Sequence, residues 1–298
     1  MTRRVLLLVL LIIANIRPVW AQMPLEDKFF DSNGVRIRYV EAGRGDPVVL
    51  IHGGVGNLDM MWREARVLET LARDFHVIAF DVRGHGKSDK PHGVASYRIE
   101  NVEDVRRLLD HVRIRRAHIV GYSMGGHIAA KFSAVNPARV LTATFGGSGA
   151  WSPEFERLLR ETAESLERGD GLRPLLATTL AMPDGRRPSR EDLDAQSRRA
   201  LASNDPLALA GAIRGVIESH ASPVELRALP MPLLAIVGSA DPRIDSVEAL
   251  KRIKPDLKVV SIEGATHMGA TGAQGRPEFV AALREFFVAH PSGQDSER

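Results

Sequence analysis

One short stretch, AHIVGYSMGG at residues 117–126, constrains the fold of this chain more than any other. An apolar run ends in GYSMG (121–125), and the residues that follow are typical of a helix. Serine at so tight a strand-to-helix turn needs flanking glycines, because β-carbons would clash where strand and helix pass closely. We predict that Ser123 projects its hydroxyl from a strained turn, with helix N–H groups pointing at any negative charge formed there. The alternative is an ordinary glycine-rich turn in which Ser123 caps the helix.

Most of the chain alternates apolar strand-like runs with helix-like segments. This alternation predicts an α/β fold with a doubly wound, mostly parallel sheet. Besides the run before Ser123, strands are predicted at residues 29–32, 35–41, 47–51, 76–80, 140–145, 232–238 and 257–262. Helices are predicted at residues 57–75, 100–112, 127–134, 247–254 and 277–289.

The alternation stops between residues 151 and 228. Four helical stretches and no strand are predicted there, at residues 153–168, 172–182, 190–203 and 207–219. The sequence therefore predicts a core formed by residues 22–150 and 229–298, with an all-helical cap at 151–228 inserted after the sixth strand.

Motifs at five separate loops resemble those of the α/β-hydrolase superfamily. They are HGGVGN at residues 52–57, DVRGHGKSD at 81–89, the turn at Ser123, the loop SADP at 239–242 and GATHMG at 264–269. The resemblance covers nearly all of the chain after residue 21, and its capped members carry an all-helical insertion where this chain has one.

The resemblance implies a catalytic triad of Ser123, Asp241 and His267, which occur in the family's order of serine, acid and histidine. Asp245 is a rival for the acid, although a role at a helix cap would explain it equally. His52 and His85 lie in glycine-rich loops and are interpreted as structural residues.

Two backbone N–H groups are implied as the oxyanion hole, those of Gly54 and Met124. The alternative is that Gly54 only forms part of a glycine-rich turn and has no role in binding an oxyanion. Candidate substrate contacts are Trp62, Tyr122, Trp151 and Met268, with Trp62 equally compatible with a place in the core. Five cap arginines could bind an acidic substrate, but a solvated polar face is favoured for them; they occupy positions 186, 187, 190, 198 and 199.

The triad implied by the resemblance predicts an enzyme that works by way of an acyl-enzyme. A small or medium, largely apolar ester is the default substrate expected of an exported, capped member of the family. A carbon–carbon hydrolase, an amidase or a lactonase remains open, as does a non-catalytic ligand-binding protein of the same fold. Serine rather than aspartate at position 123 argues against haloalkane dehalogenases and epoxide hydrolases. No metal, cofactor or nucleic-acid partner is expected, and the oligomeric state is not predicted.

Residues 1–21 have the pattern of a secretory signal peptide. Two arginines precede an apolar run of about ten residues, and a small-residue cleavage site ends at Ala21. An uncleaved anchor and a twin-arginine route are alternatives. The segment carries three arginines and no acidic residue, so the formal net charge of +3 falls to zero without it. The sequence thus predicts export to the periplasm or the exterior, and the absence of cysteine is compatible with that.

Overall fold

A single eight-stranded sheet forms the centre of the computed structural model, which describes residues 25–180, 182 and 186–293. The predicted signal peptide lies outside the described residues. The strands are β1 (Lys28–Asp31), β2 (Arg36–Ala42), β3 (Pro47–Ile51), β4 (His76–Phe80), β5 (Ala117–Tyr122), β6 (Val140–Gly146), β7 (Leu233–Gly238) and β8 (Lys258–Ile262). Their spatial order is β1-β2-β4-β3-β5-β6-β7-β8. The antiparallel pairings are those of β2 with β1 and β4, and the other pairings are parallel, so the predicted α/β sheet is confirmed.

Helices cover the sheet and fill the predicted insertion. They are α1 (Val67–Leu71), α2 (Glu100–His111), α3 (Met124–Val135), α4 (Pro153–Glu167), α5 (Arg173–Thr179), α6 (Arg190–Leu201), α7 (Pro206–Ser219), α8 (Pro223–Ala228), α9 (Ile244–Ile253) and α10 (Pro277–Val288). Helices α4 to α8 lie between β6 and β7. None of the helices in the described ranges is long and apolar enough to cross a bilayer.

The continuous helix predicted at residues 57–75 is wrong. A π-helical turn at Asp59–Arg63 is followed by the short α1, because Arg66 between them adopts a left-handed conformation with φ of 58°. Apolar spacing alone does not show such a break. Helix α8 was also missed, although Ser222 and Glu225 form a reciprocal capping box at its start.

The central strands of the sheet are buried on both faces, and most of their residues are apolar. In β3, Val49 and Ile51 face a core shared with α2, α3 and α9, whereas Val48 and Leu50 face a core shared with α1 and α10. A third apolar cluster holds α4, α5 and α7 together. The sheet therefore offers a rigid base whose strand ends can position reactive side chains.

His118, in β5, is buried in the core and should make the stability sensitive to acid. Its Nδ1 is 2.8 Å from Thr142 Oγ1, its ring stacks on Phe287, and its Nε2 has no partner among the described residues. Burial lowers the pKa of His118 to about 4, whereas an unfolded histidine has a pKa of about 6.5. The unfolded state therefore takes up more protons between these values, and stability falls as the pH drops through that window.

Between pH 7 and pH 5, we expect the free energy of unfolding to fall by about 1–2 kcal/mol less in His118→Gln than in the wild type. Urea unfolding at the two pH values measures this difference. Equal losses in both proteins would contradict the assignment of the acid sensitivity to His118.

Candidate active site

Ser123 lies at a strained turn between β5 and α3. Its φ of 53° and ψ of −115° are unusual for a residue with a β-carbon, and its N–H donates to the carbonyl of Gly146 at 2.8 Å. Glycines on both sides make the turn possible: a β-carbon on Gly121 would come within 1.9 Å of the Gly125 oxygen, and one on Gly125 within 2.2 Å of the Ile51 oxygen. The turn therefore has the predicted nucleophile-elbow geometry.

We expect Gly121→Ala to destabilise the protein severely, because the added methyl group overlaps backbone that cannot move away. Soluble yield and the midpoint of thermal unfolding measure the effect. Gly275→Ala is the matched control, since no atom of the described residues, apart from Gly275 and its chain neighbours, lies within 4 Å of the added β-carbon. Equal stability of the two variants would show that the elbow is less tightly packed than described.

The residues predicted as a triad form one hydrogen-bonded set. His267 Nε2 lies 3.0 Å from Ser123 Oγ, and His267 Nδ1 lies 3.0 and 2.9 Å from the two carboxylate oxygens of Asp241. Asp241 and His267 are both buried. The rival acid, Asp245, is exposed in the first turn of α9 and has no hydrogen bond to His267.

Further contacts fix the orientation of this set. The N–H of Arg243 donates to Asp241 Oδ1 at 2.8 Å, and the hydroxyl of Tyr122 donates to the carbonyl of His267 at 2.7 Å. Burial raises the pKa of Tyr122 well above its usual value, so its hydroxyl stays protonated and able to donate. Tyr122 therefore holds the histidine loop in place in addition to lining the adjacent cavity.

The two backbone N–H groups predicted as an oxyanion hole are free to receive a ligand. Neither Gly54 nor Met124 donates its N–H to another described residue. The two residues are neighbours, because a β-carbon on Gly54 would lie 3.4 Å from Met124 Sδ. Met124 also begins α3, whose N-terminal dipole favours negative charge at this point.

His52 and His85 shape the loop that carries Gly54. His52 Nε2 accepts the N–H of Val82 at 2.9 Å, and burial with the nearby His85 lowers the pKa of His52 to about 4. His85 Nε2 is 2.8 Å from the carbonyl oxygen of Gly54. Neither ring hydrogen-bonds Ser123, in keeping with the structural interpretation of both.

A cavity of about 210 Å³ opens beside Ser123 and His267. Its wall is mostly apolar, with contributions from the core and from α4, α5 and α7. Tyr122 and Met268, two of the predicted substrate contacts, line this cavity. The apolar lining side chains include Val55, Met60, Met61, Met124, Phe155, Leu159, Leu175, Leu180, Ile213 and Val216.

Two predicted substrate contacts are wrong. Trp62 is fully buried and stacks at 6.4 Å on Phe279 of α10, so the core alternative holds for it. Trp151 stacks on His220 at 4.1 Å and does not line the cavity. Both indoles are used to pack elements together, which composition and spacing do not reveal.

Polar residues of the cavity wall were missed by the sequence analysis. They are His127, Gln196, Arg243 and Gln274. His127 lies one turn beyond Ser123 in α3, and its burial together with the positive charge of Arg243 lowers its pKa well below 6.5. The sequence feature that could have identified Arg243 as a cavity residue is its position two residues after Asp241, the predicted acid. Within the described residues, no group of three or more metal-binding side chains could hold an ion.

A mostly parallel α/β sheet with serine, aspartate and histidine on loops after β5, β7 and β8 defines this chain as a protein of the hydrolase class. The chain belongs to the alpha/beta hydrolase fold family, whose sequence profile matches residues 46–270.

Similar proteins span several hydrolytic activities. A thermophilic esterase from Thermogutta terrifontis is 26% identical with a TM-score of 0.73, covering 90% of this chain and all of that chain. The 2-hydroxy-6-oxo-6-(2'-aminophenyl)hexa-2,4-dienoic acid hydrolase of Metapseudomonas resinovorans is 35% identical over 140 residues, 45% of this chain and 46% of that one. The 3-oxoadipate enol-lactonase 1 of Acinetobacter baylyi is 28% identical over 66% of this chain and 72% of its own. The chain spans about half the length of the first curated relatives it matches.

Proposed function

We propose that this chain is a serine hydrolase that cleaves a small or medium, largely apolar ester through Ser123, His267 and Asp241. The observation that carries the proposal is the pair of contacts made by His267, whose Nε2 reaches Ser123 Oγ while Nδ1 reaches the Asp241 carboxylate. A serine hydroxyl is a weak nucleophile by itself, and a histidine in this position can remove its proton during attack.

The mechanism follows from this geometry. Ser123 Oγ attacks the ester carbonyl carbon as its proton moves to His267 Nε2, and the N–H groups of Gly54 and Met124 bind the resulting oxyanion. The bond to the alcohol then breaks, with His267 returning the proton to the leaving oxygen. Water, deprotonated by His267, attacks the acyl-enzyme, and Ser123 leaves with the proton. Asp241 keeps Nδ1 protonated and stabilises the imidazolium formed in each half-reaction.

The size and polarity of the cavity support an ester of modest length. An apolar wall favours an acyl chain over a charged polymer, and four methionines in the wall can adapt to chains of different shape. The similarity to a thermophilic esterase over 90% of the chain also favours an ester.

A chain-length series of nitrophenyl esters, assayed by release of nitrophenol, tests the proposal. We expect kcat/KM to rise with acyl length until the cavity is filled and to fall beyond that length, because longer chains meet the wall. Absence of turnover across the whole series would contradict ester hydrolysis.

Carbon–carbon bond cleavage is the second candidate, since the matched hydrolase of Metapseudomonas resinovorans acts on a dienoic acid by its name. Lactone hydrolysis is supported in the same way by the matched enol-lactonase. In the absence of ester turnover, cleavage of a dienoic acid would favour the carbon–carbon hydrolase, and cleavage of a lactone would favour the lactonase.

We also propose that the protein is exported and processed after Ala21, on the basis of the signal-peptide pattern of residues 1–21. N-terminal sequencing of protein recovered from the periplasm or medium is expected to begin at Gln22. Exported protein that still begins at Met1 would contradict cleavage.

A further inference from the structure

Arg243 introduces a positive charge into the mostly apolar wall of the cavity. It lies in the loop between β7 and α9, two residues after Asp241, and its side chain lines the same cavity as Ser123 and His267. The guanidinium carbon is 3.4 Å from the centroid of the Phe155 ring, which comes from α4. The charge therefore lies where the core meets the helical insertion.

No described residue uses the hydrogen-bond donors of this guanidinium. Its side chain forms no hydrogen bond or ion pair with the residues that the structure describes, and its Nη2 is buried without a partner among them. The negative charge of Asp241 favours the charged form of Arg243, but the Asp241 carboxylate is engaged by His267 Nδ1 and by the main-chain N–H of Arg243. Burial lowers the pKa of Arg243 to about 10, so the group still carries its charge at neutral pH.

Packing on Phe155 does not account for these donors. A cation above a ring satisfies the face of the guanidinium, whereas its N–H bonds lie in the guanidinium plane and need acceptors there. The Nη2 group of Arg243 is buried without an acceptor among the described residues, which is costly, so an acceptor is expected from a molecule that enters the cavity.

We propose that Arg243 binds a carboxylate of the substrate, so that the preferred substrate is an ester that carries a free carboxylate on its acyl or its alcohol side. This proposal rests on the ester hydrolysis proposed above and narrows its substrate class. The cavity wall among the described residues contains one arginine and no lysine, which matches a singly charged carboxylate better than a doubly charged phosphate. Gln196 and Gln274 also line the wall, so the cavity contains amide donors besides the guanidinium.

The cap arginines considered from the sequence are not part of this site. Arg186 forms an ion pair with Asp192, and Arg190 is largely exposed. None of the five lines the cavity.

Matched pairs of ethyl and butanoyl esters test the proposal. The acyl-side pair is the monoethyl ester of glutaric acid and the corresponding monoamide, and the alcohol-side pair is the butanoyl ester of glycolic acid and that of glycolamide. In each pair an ionised carboxylate replaces a neutral amide of nearly the same shape. We expect the wild type to prefer the acid of at least one pair by a factor of about ten or more in kcat/KM near pH 7.

Arg243→Gln is expected to abolish this preference, while Arg243→Lys keeps part of it because the charge remains. Arg214→Gln is the matched control, since Arg214 pairs with Glu167 outside the cavity, and it should keep the full preference. Equal turnover of acid and amide by the wild type, or a preference that survives in Arg243→Gln, would overturn the proposal while leaving ester hydrolysis intact.

Binding measured without turnover separates this proposal from the proposed function. Calorimetric titration of Ser123→Ala with the same compounds should show that the acid of a pair binds about ten times more tightly than its amide. We expect this difference to be lost in the double variant that carries both Ser123→Ala and Arg243→Gln. If the wild type cleaves no ester and this binding difference is still found, the carboxylate site stands and ester hydrolysis fails. Equal binding of acid and amide by Ser123→Ala would overturn the carboxylate site.

Discussion

Ser123→Ala is expected to lower kcat/KM for a short-chain nitrophenyl ester by a factor of about 10⁴ or more. The substitution removes the hydroxyl that His267 Nε2 contacts at 3.0 Å and that is placed to attack the carbonyl carbon. The remaining residues could still bind the ester and polarise its carbonyl, so a small residual rate above that in water is expected.

The fold should survive this change, because the hydroxyl forms no described hydrogen bond except that to His267. Ser133→Ala is the matched control: it removes another hydroxyl from α3, one that donates to the carbonyl of Ala129 and lies outside the cavity. Steady-state kinetics and thermal unfolding of both variants make the comparison. Activity in Ser123→Ala close to that of Ser133→Ala would contradict the nucleophile assignment.

Asp241→Asn is expected to lower kcat by a factor of about 10⁴ while leaving the fold intact. An asparagine in this position can donate its amide N–H to His267 Nδ1, which then becomes an acceptor and shifts the ring proton to Nε2. A protonated Nε2 cannot take the proton of Ser123. The effect is large because Asp241 contacts Nδ1 with both oxygens, at 3.0 and 2.9 Å, in a buried site.

Asp245→Asn provides the control for this prediction, since it makes the same chemical change four residues away at the exposed start of α9. We expect that variant to keep nearly wild-type kcat. If instead Asp245→Asn abolished turnover and Asp241→Asn did not, the acid of the triad would be misassigned.

The sheet and the reactive residues could be predicted because they depend on local patterns. Buried parallel strands such as Pro47–Ile51 and Leu233–Gly238 are continuous apolar runs, and the elbow at Ser123 needs glycines at fixed spacing. Asp241 and His267 follow strands whose carboxyl ends meet at one edge of the sheet, so their order along the chain indicated the site.

The remaining features depend on contacts between distant segments. The left-handed Arg66 ends one helical turn and starts another, and Trp62 is directed into the core against Phe279. Arg243 enters the cavity because α9 packs beside the insertion, where Phe155 of α4 lies against its guanidinium. None of these contacts leaves a periodic signal in the sequence, and the cavity itself is formed only when core and insertion meet.

The most direct test of the central claim is mass spectrometry of the protein after treatment with a serine-directed fluorophosphonate. We expect a single phosphonylated residue, Ser123, since its Oγ is the hydroxyl held by His267 Nε2. The N–H groups of Gly54 and Met124, which donate to no described residue, can bind the phosphonyl oxygen. Pre-incubation with a hydrolysable ester should slow the labelling. An unlabelled Ser123, or labelling spread over several serines at similar rates, would contradict the assignment of Ser123 as the nucleophile.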